Sequence, residues 1–213
     1  TKVHNETIRH YELGRHVLLV GHNNHPEVIG TMGQVPKENV TLIETEEDAQ
    51  TVEVTNPNQL AFATQTTLSV DDTNAILTIL KNRFPNIKGP TAEDICYATT
   101  NRQEAVKSLA KICDCILVIG AENSSNSLRL VEVALSNGVK NSFLIPHERA
   151  LDDFLNTYDP IQFPNIGLTA GASAPETLVQ ALIEKLKTNF NVNEINNEVI
   201  KENITFNLPK ILR

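Results

Sequence analysis

Glu27 stands two residues after His25 and five after His22, in the run Gly21-His-Asn-Asn-His-Pro-Glu27. A carboxylic acid beside an imidazole can hand a proton to a leaving oxygen if burial raises its pKa, while the imidazole can hydrogen-bond a phosphate. Imidazole and carboxylate at short spacing also suit zinc or iron. The spacing is not that of a helical HExxH motif, and Pro26 forbids a regular helix through it. Solvent-facing polar residues that bind nothing are the third reading of the same run. Cys96, in Asp94-Ile-Cys-Tyr-Ala-Thr-Thr-Asn-Arg-Gln-Glu104, precedes a helix whose cap reads as Thr100 or Asn101. A thiolate near a helix N-terminus is stabilised, which suits nucleophilic or metal-ligand work. Cys113 continues the Val106, Ala110 helix face and Cys115 opens the apolar run Cys-Ile-Leu-Val-Ile, so both read as small core residues.

Three more runs are rich in small polar side chains: Thr64-Gln-Thr-Thr-Leu-Ser69, Ala121-Glu-Asn-Ser-Ser-Asn-Ser127 and Thr169-Ala-Gly-Ala-Ser-Ala-Pro175. Each follows a short apolar segment. Strands read at His16 to Gly21, Val40 to Glu44, Leu60 to Thr64, Cys115 to Gly120, Ser142 to Ile145 and Ile166 to Ala170. Between them Ile76, Leu77, Leu80 and Phe84 form one helix face stopped by Pro85. Leu128, Val131 and Leu135 form a second, with Gly138 as its C′ residue. Leu178, Val179, Leu182, Ile183, Leu186 and Phe190 form a third. Continuous apolar strands alternating with such helices predict an α/β fold, with mostly parallel sheets flanked by helices. In that architecture ligands bind beyond the carboxyl ends of the strands, where helix N-termini offer free N–H groups to an anion. Taken singly, each loop also reads as a helix cap, since Ser69 with Asp72 and Ser173 with Glu176 fit the capping box. Four in one chain favour an anion site, with phosphate the natural guest.

The 213 residues, 40% apolar and 21% charged, suit two small domains. We expect them at 1–89 and 90–213, joined near the Pro- and Gly-containing stretch Phe84-Pro-Asn-Ile-Lys-Gly-Pro90. The tail from Asn191 carries an alternating edge-strand pattern at Asn203 to Leu208. With 18 Lys plus Arg against 26 Asp plus Glu, the net charge is −8. That balance argues against nucleic acid or an anionic membrane as the main partner, so a bound anion must be held by neutral donors and helix dipoles. The apolar runs fall short of the about 18 residues a membrane span needs. Three cysteines, an odd count without a disulfide framework, point to a reducing compartment. The first residue is Thr and the sole methionine is Met32, from which we expect a fragment.

Five motifs carry a resemblance: His25-Pro-Glu-Val-Ile-Gly-Thr31, Thr64-Gln-Thr-Thr-Leu-Ser69, Cys96-Tyr-Ala-Thr-Thr-Asn-Arg-Gln-Glu104, Asn123-Ser-Ser-Asn-Ser127 and Thr169-Ala-Gly-Ala-Ser-Ala-Pro175. In this order they closely resemble 4-hydroxy-3-methylbut-2-enyl diphosphate reductase, the iron-sulfur enzyme that ends the methylerythritol phosphate route to isoprenoids. The resemblance implies a three-domain, pseudo-symmetric α/β enzyme around a 4Fe-4S cluster, with this chain covering its second and third domains and an N-terminal domain missing. It implies Glu27 as proton donor and Thr66 as the hydroxyl that orients substrate and relays a proton. His25, Ser124, Ser125, Asn126 and Ser173 are implied as diphosphate ligands, and Cys96 as one of three cluster cysteines, the other two lying upstream. The products would be isopentenyl and dimethylallyl diphosphate, the electron donor a ferredoxin or flavodoxin type protein. The location would be the cytoplasm, with a plastid left open by the N-terminus. On that reading the 213 residues by themselves form an inactive, cluster-free piece. The competing reading is a non-redox phosphosugar-binding or isomerase domain, since Ser and Thr loops after parallel strands occur there too.

Overall fold

The computed structural model describes residues 2–90 and 95–196. The predicted edge strand at Asn203 to Leu208 lies outside the described residues. Two three-stranded parallel sheets are present, as the α/β reading expects. The first comprises β1 (His16–Val20), β2 (Val40–Ile43) and β3 (Leu60–Thr64) in the order β2-β1-β3. The second comprises β4 (Cys115–Ile119), β5 (Asn141–Ile145) and β6 (Ile166–Ala170) in the order β5-β4-β6. All four strand pairs are parallel, and Val17 faces Val40 and Ala61 across the first ladder as Ile116 faces Ser142 and Gly167 across the second.

The central strands show why their sequences are apolar throughout rather than alternating. Leu18 and Val20 pack with Ile43, Leu60, Phe62, Ile76 and Leu80 on one face of the first sheet, while Val17 and Leu19 pack with Val3, Val28, Val40 and Ala63 on the other. In β4, Leu117 and Ile119 join Leu151, Phe154, Phe163 and Leu182, while Ile116 and Val118 join Val106, Leu130, Val133 and Ala134. A strand sandwiched between two helical layers has no polar side. Truncating such a position, as in Leu117→Ala, costs about 2–5 kcal/mol because neighbours relax only partly into the hole.

The helices are α1 (Lys2–Glu12), α2 (Pro26–Met32), α3 (Glu46–Thr51), α4 (Val70–Arg83), α5 (Tyr97–Ala110), α6 (Ser125–Ser136), α7 (Glu148–Thr157) and α8 (Glu176–Asn189). The three predicted apolar faces belong to α4, α6 and α8, and Gly138 closes α6 with φ +95°, a conformation that favours glycine. The strand bounds differ from the expected ones by a residue at β1, β2, β4 and β5. The junction is not a bare linker: Lys88 donates to Leu60 O and accepts from Phe62 N, pairing with the edge of β3.

In each sheet the chain starts at the centre, runs to one edge, then crosses to the other. Adjacent strands β1 and β3, and β4 and β6, therefore send their following loops in opposite directions. A crevice opens between those loops at the carboxyl edge. The four motif loops follow β1, β3, β4 and β6, at the carboxyl ends of these strands.

Candidate functional site

The β1–α2 loop is shaped around a buried glycine. A Cβ on Gly21 would sit 2.6 Å from Val28 Cγ2 and 3.2 Å from Gln65 Oε1. His25 is the N-cap of α2, with Pro26 at the first helical position, where its missing N–H costs nothing. The helix starts at the proline rather than running through it. His25 Nδ1 accepts from the Glu27 amide at 3.2 Å, so the neutral ring carries its hydrogen on Nε2. That nitrogen lies 2.6 Å from Ser125 Oγ.

Glu27 faces the loop after β3. Its Oε2 accepts from the Thr66 amide at 3.1 Å and from the Thr66 hydroxyl at 3.0 Å, and the carboxyl is half-buried. No donor among the described residues takes Oε1. Gln65, 1% exposed, ties the two loops together by accepting from the His22 amide at 3.1 Å and donating to Thr67 Oγ1 at 3.0 Å. The Cys96 amide donates to Thr66 O at 3.4 Å, which places Cys96, an exposed cysteine, beside the loop that carries Thr66. Cys96 itself, not Thr100 or Asn101, is the N-cap of α5. The helix starts four residues early because Tyr97, Ala98 and Thr99 take helical geometry with Thr99 buried, so the Thr-Thr-Asn run lies inside the helix.

On the second sheet, Ser124 caps α6 and accepts from the Ser127 amide at 3.3 Å. Asn126 is 8% exposed, and neither its amide nitrogen nor its oxygen has a partner among the described residues. A buried amide left unpaired costs about 1–3 kcal/mol, so this orphan at the N-terminus of a twelve-residue helix is available to a ligand. Ser173 lies exposed in the β6–α8 loop, at the same edge. It does not cap α8 as its spacing from Glu176 suggests: Pro175 is the N-cap and makes no side-chain cap bond. Ser69, by contrast, does cap α4, accepting from Asp72 N at 3.2 Å.

The metal reading of His22, His25 and Glu27 is corrected. His22 Nε2 faces Arg129 Nη2 at 2.5 Å, and burial first, then the Arg129 charge, holds its pKa below the usual imidazole value. His25 spends Nδ1 on the helix cap. Among the described residues no three His, Cys, Asp or Glu side chains converge on a metal-sized point. Cys115 is a core residue as expected, while Cys113 is half-buried and packs against the core. Burial pushes both thiols up, Cys115 to about 12. Cys96 is thus the one exposed thiol of the three, and the described residues do not complete an iron-sulfur ligand set.

Sequence reasoning missed the residues that hold the loops in place. Gln103, 0% exposed, accepts from Val70 N at 2.9 Å and donates to Leu68 O at 2.8 Å, while Arg102 Nη1 donates to Ala170 O at 2.6 Å. Neighbours on α5 thereby grip a site loop from each sheet. The available signal was Gln103 itself, a polar residue on the stripe that continues through Val106 and Ala110.

The model of the family described as LytB protein matches residues 1–187. The chain belongs to the LytB family. It is 50% identical over 213 residues to 4-hydroxy-3-methylbut-2-enyl diphosphate reductase 2 of Rhodopseudomonas palustris, covering 100% of this chain and 65% of that relative. It is 55% identical over 192 residues to the corresponding reductase of Brucella anthropi, covering 90% of this chain and 54% of the relative. Among solved structures, the E-1-hydroxy-2-methyl-but-2-enyl-4-diphosphate reductase of Plasmodium falciparum superposes with a TM-score of 0.87 at 32% identity, over 99% of this chain and 65% of that one. The chain thus spans 65% of the length of the first of these relatives. Among the described residues no helix is long and apolar enough to cross a membrane.

Proposed function

We propose that this chain supplies the diphosphate-holding and proton-donating parts of a 4-hydroxy-3-methylbut-2-enyl diphosphate reductase, with residues 1–89 and 90–213 acting as its two units. The reaction is the reductive loss of an allylic hydroxyl, in which the C–O bond breaks, two electrons and two protons enter, and water leaves with isopentenyl or dimethylallyl diphosphate. A 4Fe-4S cluster with an open iron would bring the electrons and polarise the C–O bond. Cys96 is the ligand this chain would offer it, the remaining ligands coming from outside these residues. The electrons would come from a ferredoxin or flavodoxin type donor, in a reducing compartment such as the cytoplasm.

The chain's own residues do the rest. Glu27 delivers a proton to the departing oxygen, and Thr66, bonded twice to Glu27 Oε2, fixes the carboxyl and hands protons between it and the substrate. His25, Ser124, Ser125, Asn126 and Ser173 hold the diphosphate, which takes no part in the redox step and therefore serves to position the reacting carbon. A net charge of −8 does not oppose this, because these neutral donors and the α6 dipole meet the anion locally.

One observation carries the reading: the partnerless, buried Asn126 amide lies one residue from Ser125, whose hydroxyl is 2.6 Å from His25, the cap of the helix that bears Glu27. The test is turnover of the allylic diphosphate by a polypeptide of full family length bearing these residues. Release of both diphosphate products supports the proposal, and an isomerisation without electron uptake would replace it with the phosphosugar-type alternative.

A further inference from the structure

Ser127 is absent from the residues assigned to the anion above, yet its hydroxyl is buried and closely flanked by backbone. It is 0% exposed, and its Oγ is wedged between two backbones: a Cβ on Gly120 or on Gly171 would lie 2.1 Å from it. Gly120 follows β4 and Gly171 follows the adjacent β6, with the Gly171 amide donating to Ile119 O at 2.8 Å. In this slot the Ser127 hydroxyl donates to Ser124 Oγ at 3.0 Å, and the Ser127 backbone amide donates to the same oxygen at 3.3 Å. A serine hydroxyl has two lone pairs and one hydrogen. Both lone pairs of Ser124 are taken by Ser127, so the one capacity left to Ser124 is its own O–H.

We propose that Ser127 is a positioning residue that turns Ser124 into an obligate donor, so that this subsite selects a ligand offering only acceptors, such as a diphosphate oxygen, over one that must donate. The inference rests on the diphosphate reading above. Two close-approach glycines follow from it, since neither can carry a side chain while Ser127 keeps its place. Polarisation runs in the same direction: a hydroxyl that accepts two hydrogen bonds is a stronger donor through its own hydrogen.

The test uses the full chain and inorganic pyrophosphate, with affinity read from a phosphorus NMR titration and folding followed by circular dichroism and the thermal midpoint. Ser127→Ala is expected to weaken pyrophosphate binding by about tenfold, the worth of one hydrogen bond to a charged group. The double variant Ser124→Ala/Ser127→Ala should bind no more weakly than Ser124→Ala alone, because Ser127 acts only through Ser124. Gly171→Ala reaches the same hydroxyl from the other side and should copy the loss. It should add little in the Ser127→Ala background, where its Cβ would lie 3.3 Å from Ser127 Cβ and 3.6 Å from Asn126 Nδ2. Unchanged affinity in Ser127→Ala, or an equal further loss in the Ser124→Ala background, would overturn the positioning role in favour of simple packing. Failure of the wild-type chain to bind pyrophosphate would show without any variant that the diphosphate reading itself is wrong, and this inference would fall with it.

Discussion

His25 Nε2 and Ser125 Oγ, a hundred residues apart in the chain, lie 2.6 Å from each other. The histidine caps the helix that carries Glu27, and the serine is the first residue of the helix whose N-terminus holds Ser124 and Asn126. This contact sets how far the acid stands from the anion donors. His25→Ala removes both the cap and the contact. We expect a stability loss of about 1 kcal/mol from the cap, measured by urea denaturation, together with weaker pyrophosphate binding. Unchanged binding would separate the cap from the ligand site.

Glu27→Gln keeps the shape of the carboxyl and its bonds from Thr66 but has no acidic proton. In a polypeptide of full family length, turnover should fall by a factor of about a hundred or more, the scale of a lost general acid. Diphosphate affinity should change little. Steady-state kinetics check both, and near wild-type turnover would take the acid role from Glu27.

The three thiols should separate by reactivity. Cys96 is exposed, whereas Cys115 is fully buried with its thiol pushed up to about 12. Brief alkylation of the folded chain followed by peptide mass spectrometry should label Cys96 first and leave Cys115 untouched. Cys115→Ala should cost on the order of 1 kcal/mol in stability. Anaerobic reconstitution of residues 1–213 alone should leave the protein colourless, since Cys96 is the one exposed thiol of the three, and a brown product would refute that ligand count.

All six strands and three of the helix faces were readable because a strand covered on both sides and an amphipathic helix each write their burial into the sequence. The Glu27, Thr66 and Ser124 loops were readable for a related reason, since polar runs directly after apolar strands leave few other uses for those side chains. Gln103 and Ser127 were not. Their roles depend on what reaches them from distant parts of the chain, the Leu68 carbonyl in one case and Gly171 in the other. The caps at Cys96 and Pro175 escaped for the opposite reason: cap preferences of Thr, Asn and Ser are modest, and packing of Thr99 and the β6–α8 loop outweighed them.

Gln103→Leu would strand Leu68 O and Val70 N in a buried place. The cost should be about 2 kcal/mol or more, the penalty for unpaired buried backbone groups. The loop bearing Thr66 should loosen with it. Amide hydrogen exchange checks the second part: faster exchange at Leu68 to Val70 is expected, and unaltered protection would remove Gln103 from its clamping role.

Acid should destabilise the chain before its carboxylates titrate. Burial, as the leading cause, lowers the pKa of His10, His16 and His22 below 6.5, with neighbouring arginines adding to it at His10 and His22. A base with a depressed folded pKa binds its proton more readily when unfolded. Stability is therefore full above about pH 6.5 and falls as pH drops below it. The urea midpoint should decline between about pH 7.5 and pH 5, less steeply in His22→Gln. A midpoint that rises on acidification would contradict the assignment.

The central claim is that loops from both sheets form one anion site, and amide chemical-shift mapping of the isotopically labelled chain against inorganic pyrophosphate tests it most directly. Shifts that saturate together are expected at Ser124 to Ser127, at Gly171 to Ala174 and at His25 to Glu27. Shifts confined to one sheet's loops, or scattered over exposed lysines and arginines, would contradict it.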